Sequence, residues 1–447
     1  MPDIVADLHL HSKYSRAVSP QMTPPVMAKF AEQKGIDLLT TGDWTHPLWF
    51  REIRSYLSEA EEGLYKIKNA TEENEKTRFL LSAEIACIYS QGGKGRRIHN
   101  LVFVPSFETA EKVNKELVRR GYNITSDGRP ILGLSSKHLL ELILSLDERS
   151  LLIPAHAWTP WFGIYGQMSG FNSLAEAFED LSSYIYAIET GLSSDPEMNW
   201  QIKELAMRSI VSFSDAHSPA KMGREATVFR LGNFSYESIR QAIMAPSKKT
   251  ESTDNKVLYT IEFYPEEGKY HYSGHRNCNV RYTPEEMKTK GEICPVCSRK
   301  LTDGVMRRLQ ELASEEAKGK RKSNANGLVW ITDPTNTHPP FVKLVPLLEI
   351  IAEALGVPVG SPKAKTLFDE LCKNLQSELF ILLHASLVAI QKIAGEKVAE
   401  GIRKVREAHI SIQPGYDGVY GVVKIWTDEN NLTKNKDALG NQMGIDF

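Results

Sequence analysis

The stretch Asp7-Leu8-His9-Leu10-His11-Ser12 decides how the rest of the chain is read. Ile4, Val5 and Ala6 precede it, an apolar run that predicts the end of a buried strand. Side chains alternate faces along a strand, so His9 and His11 share a face, and Asp7 shares it with them. Two imidazoles side by side at a strand end can hold one metal ion. An isolated His-x-His is more often a pair of solvated or core histidines. This one is not isolated, because His, Asp and Glu recur at strand-like sites as far as His217, and that recurrence favours a metal centre.

The bulk numbers bound the answer. A chain of 447 residues is too long for one ordinary domain, so two or three are expected. A hydrophobic content of 41% and a charged content of 25% are those of a folded soluble protein. No apolar run reaches the roughly 18 residues of a membrane span, and the chain opens on a strand pattern with no signal peptide expected. Three of the five cysteines, Cys278, Cys294 and Cys297, fall close together, while Cys87 and Cys372 stand alone. That is metal or thiol use in a reducing, cytoplasmic compartment, not a disulfide framework. The net charge of −2 does not announce a nucleic-acid binder, nor does it exclude one, since bound divalent cations would offset several acids.

From Met1 to about Ala245 short apolar strands alternate with amphipathic helical stretches, the pattern of an α/β barrel or a doubly wound sheet. Seven strands are predicted, at Ile4–Leu8, Leu38–Thr41, Phe79–Ile85, His99–Val104, Leu151–Ala155, Tyr186–Glu189 and Ile210–Ser214. His9 and His11, Asp43 and His46, Glu84, His99, His156, Glu189, Asp215 and His217 all fall at or just after a strand end. Polar side chains gathered at strand ends are the mouth of a barrel. GGKGRR, residues 92–97, reads as a flexible basic loop beside Glu84 and His99; Lys94, Arg96 and Arg97 touch phosphates, or the stretch is a plain hairpin turn. After His156 come Trp158, Trp161, Phe162 and Tyr165, aromatics that either cover the core or stack on a base.

A polar linker, 246–256, ends the first region. His275-x2-Cys278, then fifteen residues, then Cys294-x2-Cys297 is the spacing of a four-coordinate structural zinc site in a module at 257–302. His271 is the alternative fourth ligand, and His275 gives the tighter knuckle. Such a small segment with few apolar residues needs the clip in order to fold. A helix is predicted from Asp303 to about Lys318, then a linker or mobile loop in AKGKRKSNANG, then a helical region from Pro339 to about His409. Within it, residues around Gly395 and Lys397 resemble a helix-hairpin-helix, whose glycine turn offers amides to a phosphate; a simple capped helix pair reads the same. Gly415–Gly421, GYDGVYG with Tyr416, either packs the tail on the helices or faces substrate, ahead of a strand at Val422–Trp426.

Taken together, DLHLHS, the turn at Asp43, Glu84, His99, His156 and the SDAH at Ser214–His217 resemble the polymerase-and-histidinol-phosphatase (PHP) superfamily over residues 1–245. The resemblance implies a distorted (β/α)7 barrel with two or three metal ions at its mouth, zinc by preference, with magnesium or manganese as the alternative for activity. It implies a first metal on His9, His11, Glu84 and Asp215, a second sharing Glu84 with His99 and His156, and a third on Asp43 and His217. The chain departs from many relatives in reading TGDWTH at Thr41–His46, which leaves open whether His46 is a ligand. PHP barrel, zinc module and a C-terminal helical domain over 303–447 with a glycine-rich tail together resemble the endonuclease Q family. That resemblance implies nicking of double-stranded DNA 5′ to deaminated bases (uracil, hypoxanthine, xanthine) and abasic sites, in a prokaryotic, nucleoid-associated setting; whether a sliding clamp or other repair factor docks as a partner is left open by the sequence. A monomer is the default.

Hydrolysis of a phosphodiester at neutral pH needs a nucleophile and charge neutralisation, and metal ions supply both to a bound water. His9, His11, Glu84 and Asp215 are therefore the catalytic candidates, and Asp7 is expected to orient a ligand histidine or only to pack. A damaged base must leave the stack to be read. Two other classes compete: a phosphoesterase of small esters or nucleotides, which needs no zinc module, and a DNA-binding protein with an idle barrel.

Overall fold

A computed structural model describes residues 3–72, 74–245, 254–314 and 317–426. The strand before the His-x-His lies inside the sheet. β1 (Asp3–Asp7) pairs in parallel with β2 (Leu38–Thr40), which pairs in parallel with β3 (Arg78–Gln91). β4 (Lys94–Val104) returns antiparallel to β3, from Leu81 opposite Val104 to Gln91 opposite Lys94. β5 (Leu151–Pro154) runs antiparallel to β4, and β6 (Ala187–Glu189) and β7 (Ser209–Val211) are parallel to one another. The Ala157 amide donates to the Glu189 carbonyl at 3.0 Å, and Leu10 bridges Ala216 in parallel. Backbone bonds thus carry the ring from β5 through β6 and β7 back to β1. These are the seven predicted strands, closed into a barrel distorted by the reversed β4. Both faces are covered, so the strands read as continuous apolar runs, with Leu38, Leu39, Leu80 and Leu81 all buried.

The GGKGRR stretch is not a loop. Gly92 and Gly93, with φ of 62° and 74°, make a two-residue hairpin turn, and Lys94 to Arg97 already belong to β4. Two positive φ angles in succession suit glycine and match the twist of the flanking strands.

The sheet continues past the barrel. Ala226–Arg230 pairs antiparallel with β1, Lys256–Glu262 pairs with it, and Phe341–Lys343 and Val329–Thr332 follow. The outermost strand is Lys320–Ser323, inside the stretch expected to be a linker. Val329-Trp330-Ile331 opposite it supplies the apolar backing, and Arg321 pairs with Glu197 at 2.7 Å. Basic residues along an exposed edge strand discourage pairing with another chain. The preceding helix is shorter than expected, Val305–Leu312. Most of the first linker, 246–253, lies outside the described residues, as does the tail from 427.

The C-terminal region is helical as read, with helices at Leu347–Leu355, Pro362–Asn374, Glu378–Leu383, Leu387–Ala394 and Glu396–Arg406. It docks on the barrel helix Pro24–Lys34 through a buried ion pair, Lys34 Nζ to Glu378 Oε2 at 2.6 Å. The buried Arg406 guanidinium meets no carboxylate among the described residues. It donates instead to the carbonyls of Ile381, Leu382 and Ala385 and so caps the end of the Glu378–Leu383 helix. The module expected to bind zinc is a hairpin, Ser273–His275 with Val280–Tyr282, followed by a helix at Pro284–Lys290. The GYDGVYG turn packs on this module rather than on the helices. Tyr416 Oη donates to Asn279 at 2.8 Å and the Arg276 amide to Asp417 at 2.7 Å.

Candidate metal centre

His9 and His11 leave the end of β1 with ring centroids 5.4 Å apart. Each ring is held from behind. Glu189 accepts from His9 Nδ1 at 2.9 Å, and Asp43 accepts from His11 Nδ1 at 3.1 Å. A carboxylate on Nδ1 fixes the proton there and leaves the Nε2 lone pair facing inward. Both Nε2 atoms and Asp215 Oδ1 are buried and have no hydrogen-bond partner among the described residues. These three atoms converge: Asp215 Oδ1 lies 3.4 Å from His9 Nε2 and 3.1 Å from His11 Nε2. Glu84 completes the wall, with Oε2 3.3 Å from His11 Nε2. Its other oxygen faces a second group, His99 Nδ1 at 2.6 Å and His156 Nε2 at 2.9 Å. Donor atoms of His9, His11 and Glu84, of Glu84, His99 and His156, and of His11, Asp215 and His217 each lie within 4.8 Å of one another. Glu84 therefore joins two ligand groups. Orphaned nitrogen lone pairs and carboxylate oxygens suit zinc, and manganese or iron less well.

The electrostatics point the same way. Burial alone would raise the Glu84 carboxyl, yet His99, Arg129 and the other imidazoles hold it well below the usual carboxylate range. Asp215 is likewise held down against burial by His9, His11 and His217. Burial opposes charge on His9 and His11, but Glu189 and Asp215 around the first, and Asp43, Asp215 and Glu84 around the second, raise both rings well above the ordinary imidazole value. The pocket thus demands positive charge where the lone pairs meet. His99 goes the other way. Burial, helped by Arg129 and His156, outweighs Glu84 and pushes it down to about 3, so the ring is neutral and fit to ligate.

The backbone shows the cost of this convergence. Asp43, His156 and Asp215 have φ of 45°, 29° and 47°, a region that residues other than glycine seldom occupy and that clusters at functional sites.

Several expectations are corrected. Asp43 is not placed as an independent ligand: its Oδ2 accepts from the Ser12 amide at 2.6 Å and from the Ser12 and Ser15 hydroxyls at 2.7 and 2.8 Å, and its Oδ1 from His11. His217 groups with His11 and Asp215 instead. His46 caps the helix Pro47–Tyr56, its Nδ1 accepting from the Trp49 amide and its Nε2 donating to the Thr125 carbonyl at 3.1 Å, so neither nitrogen is left for a metal. Asp7 orients no histidine. It accepts from the Ser214 amide and hydroxyl and from the Gly223 amide, which fixes the turn that carries Asp215. Burial pushes its carboxyl up to about 6.

The basic and aromatic candidates divide. Arg96 is buried, donates to the Gly170 carbonyl and stacks 3.9 Å over Phe171; it braces the loop and does not meet phosphate. Lys94 is exposed at the hairpin tip, and Arg97 is exposed beside a cavity. Trp158 and Tyr165 are core residues, bonded to Asn199 at 2.7 Å and Glu204 at 2.8 Å. Trp161 and Phe162 instead line a cavity of about 480 Å³, with Tyr264, Tyr270, Tyr420, Arg224 and Lys269 among its other walls. The Phe162 ring lies 4.3 Å from His99, so the cavity abuts the ligand cluster. Gly395 joins its two helices alone, but its amide caps the first by donating to Gln391 at 2.9 Å, leaving only the next turn, with exposed Lys397, to meet an anion. Tyr416 is spent on the zinc module.

Sequence reasoning missed two things. Glu189 was legible as a strand-end acid, but its hold on His9 was not. Arg129, 3.0 Å from Glu84 Oε2, sits in a Gly-containing turn that carried no signal of its own. Glu189→Gln is expected to lower metal affinity and activity by roughly 10–100-fold; metal titration followed by an activity assay checks this, and an unchanged affinity would exclude the orienting role.

At the second centre, His275, Cys278, Cys294 and Cys297 bring their donor atoms within 4.8 Å of one another. His275 is the histidine of the knuckle; the buried His271 lines the aromatic cavity instead.

Comparison with known proteins accords with both centres. Residues 346–409 match the family described as the MJ0043 C-terminal domain. The uncharacterized protein MJ0043 of Methanocaldococcus jannaschii is 30% identical over 60% of this chain, an alignment that spans 31% of that protein. The uncharacterized protein YqxK of Bacillus subtilis is 28% identical over 95% of this chain and its own full length. PfuEndoQ, a lesion-specific endonuclease from Pyrococcus furiosus, is 30% identical with a TM-score of 0.78 over 95% of each chain. An Endonuclease Q solved in complex with a 27-mer duplex substrate bearing an abasic lesion at the active site is 31% identical with a TM-score of 0.78, over 95% of this chain and 97% of that one. A barrel-mouth ligand cluster, a zinc-type knuckle and end-to-end similarity of this extent lead to one conclusion: the chain belongs to the endonuclease Q family.

Proposed function

We propose that this protein nicks duplex DNA beside damaged nucleotides, on the 5′ side of deaminated bases and abasic sites. The observation that carries the reading is the convergence of three orphaned, buried donor atoms, on His9, His11 and Asp215, in a cluster whose His99 ring lies 4.3 Å from Phe162 on the wall of an aromatic cavity. His9, His11, Glu84, Asp215, His99, His156 and His217 would hold the metal ions, which when bound would activate a water and neutralise the phosphate. The donor chemistry supports zinc in these groups and in the knuckle. Glu189 and Asp43 hold the first two imidazoles in one orientation, so the ligands need not reorganise during the reaction. Burial of Glu84 and the imidazoles excludes bulk water. The cavity takes the extruded nucleotide, with Trp161 and Phe162 against its faces and Arg97 near its backbone; extrusion costs a few kcal/mol and least for a damaged or missing base. The lesion classes rest on the resemblance to endonuclease Q.

The test uses labelled duplexes carrying uracil, an abasic site or no lesion, with p-nitrophenyl phosphate alongside, each with and without chelator. Chelator-sensitive nicking of the two damaged duplexes alone is the expected result. Hydrolysis of p-nitrophenyl phosphate with no nicking would hand the protein to the small-ester phosphoesterases. In the same assay Trp161→Ala is expected to slow uracil-directed nicking by about 5- to 150-fold, the worth of one stacked base at 1–3 kcal/mol. Unchanged rates on both damaged duplexes would remove this residue from recognition.

A further inference from the structure

The centre includes a cation that the ligand pattern does not use. The turn Asp127-Gly128-Arg129 passes tightly under Asp43. A Cβ on Gly128 would lie 2.4 Å from both Asp43 Oδ2 and Ser15 Oγ, so the turn can run here only with glycine. The Gly128 amide donates to the Tyr14 carbonyl at 3.0 Å, and Asp127 accepts from the Arg129 amide at 3.1 Å. The turn is thus fixed from both sides, and it sets the Arg129 guanidinium over Glu84, Nη1 to Oε2 at 3.0 Å. The Arg129 side chain is 21% exposed, whereas that of Glu84 is fully buried. One end of the guanidinium therefore touches the joining ligand while part of the side chain stays open to solvent.

That position is hard to explain as structural. A guanidinium beside a loaded metal centre is repelled: two like unit charges about 4 Å apart cost roughly 4 kcal/mol at an effective dielectric of 20. The repulsion is relieved if an anion lies between them. A planar guanidinium fork also matches two phosphate oxygens, which a lysine does not.

We propose that Arg129 binds the non-bridging oxygens of the scissile phosphodiester and stabilises the charge they gain in the transition state. Its bond to Glu84 gives way to phosphate when substrate enters. This assignment rests on the nuclease reading above, but it is tested separately. Arg129→Gln and Arg129→Lys are prepared as full-length protein with metals loaded. Metal per chain is measured by mass spectrometry, inorganic phosphate binding by titration calorimetry, and nicking of an abasic duplex under single-turnover conditions. Arg129→Gln is expected to keep its metals, to bind phosphate at least tenfold more weakly and to nick roughly 10²–10³-fold more slowly, as loss of one fixed donor to a developing anion does. Arg129→Lys should recover only part of that loss. Should Arg129→Gln fail to fold, the lysine variant decides the matter, because full activity in it would overturn the need for a fork. Unchanged phosphate affinity, or a loss of nicking that tracks a loss of metal, would overturn the proposal and leave Arg129 as a prop for Glu84. A parent protein that binds phosphate through Arg129 but nicks no duplex would sink the nuclease reading alone.

Discussion

Glu84→Gln is expected to lower nicking of an abasic duplex by roughly 10⁴-fold, the factor that about 5.5 kcal/mol of lost transition-state stabilisation gives. The size follows from position. Glu84 is the residue common to two ligand groups, so the amide weakens both at once, whereas a change at His99 or His217 touches one. The neutral amide also removes the anion facing His9, His11, His99, His156 and Arg129. Metal content should fall with activity, and mass spectrometry of the loaded protein reads it directly. The shape is nearly unchanged, so circular dichroism should show an intact barrel. A variant with full metal content and full activity would remove Glu84 from the centre.

Cys294→Ser is expected to unfold the zinc module while sparing the barrel. The module's own core is small: Val280, Tyr282, Met287, Cys294 and Leu301. A core of that size cannot offset chain entropy without a clip, and zinc binding by such knuckles is worth roughly 10–16 kcal/mol in isolated peptides. Burial raises the Cys294 thiol, but the backbone amides of Val296 and Cys297, with His275, bring it down to about 6, so a thiolate ready to ligate is present at neutral pH. Loss of the clip should release one zinc ion, expose 276–302 to trypsin and free the Gly415–Gly421 turn. That turn depends on the module through Tyr416 and Asp417, and it carries Tyr420 into the aromatic cavity wall. Lesion recognition should therefore suffer although the ligand cluster is untouched. Zinc release measured with a colorimetric chelator and limited proteolysis check this; a variant that keeps its zinc and resists trypsin would place the fourth ligand elsewhere.

The legible parts of this protein are those in which one short segment suffices. His9 and His11 announce themselves because strand alternation puts them on one face, and His275, Cys278, Cys294 and Cys297 because knuckle spacing is local. The seven barrel strands are legible for the same reason, each being an apolar run bounded by polar residues. Errors gathered where a side chain's direction is set by a distant partner. Trp158 and Trp161 are three residues apart in one aromatic stretch, yet Asn199 draws the first into the core and the second lines the cavity. Arg96 and Arg97 are adjacent in one basic stretch, and strand alternation buries one against Phe171 and leaves the other exposed.

By itself the sequence determined the kinds of donor, their distribution over the strand ends, the Cys/His knuckle and the helical C-terminal region. These follow from spacing and apolar periodicity, which act within a few residues. Only the tertiary structure decided which carboxylates face the donor cluster and which stand behind the imidazoles. Asp43 and Glu189 hold imidazoles, Asp7 holds the turn before Asp215, and Glu84 joins two groups. It also revealed Arg129 over the cluster. A carboxylate has the same chemistry in all these roles, and what distinguishes them is the atom that closure of the barrel brings within 3 Å or so.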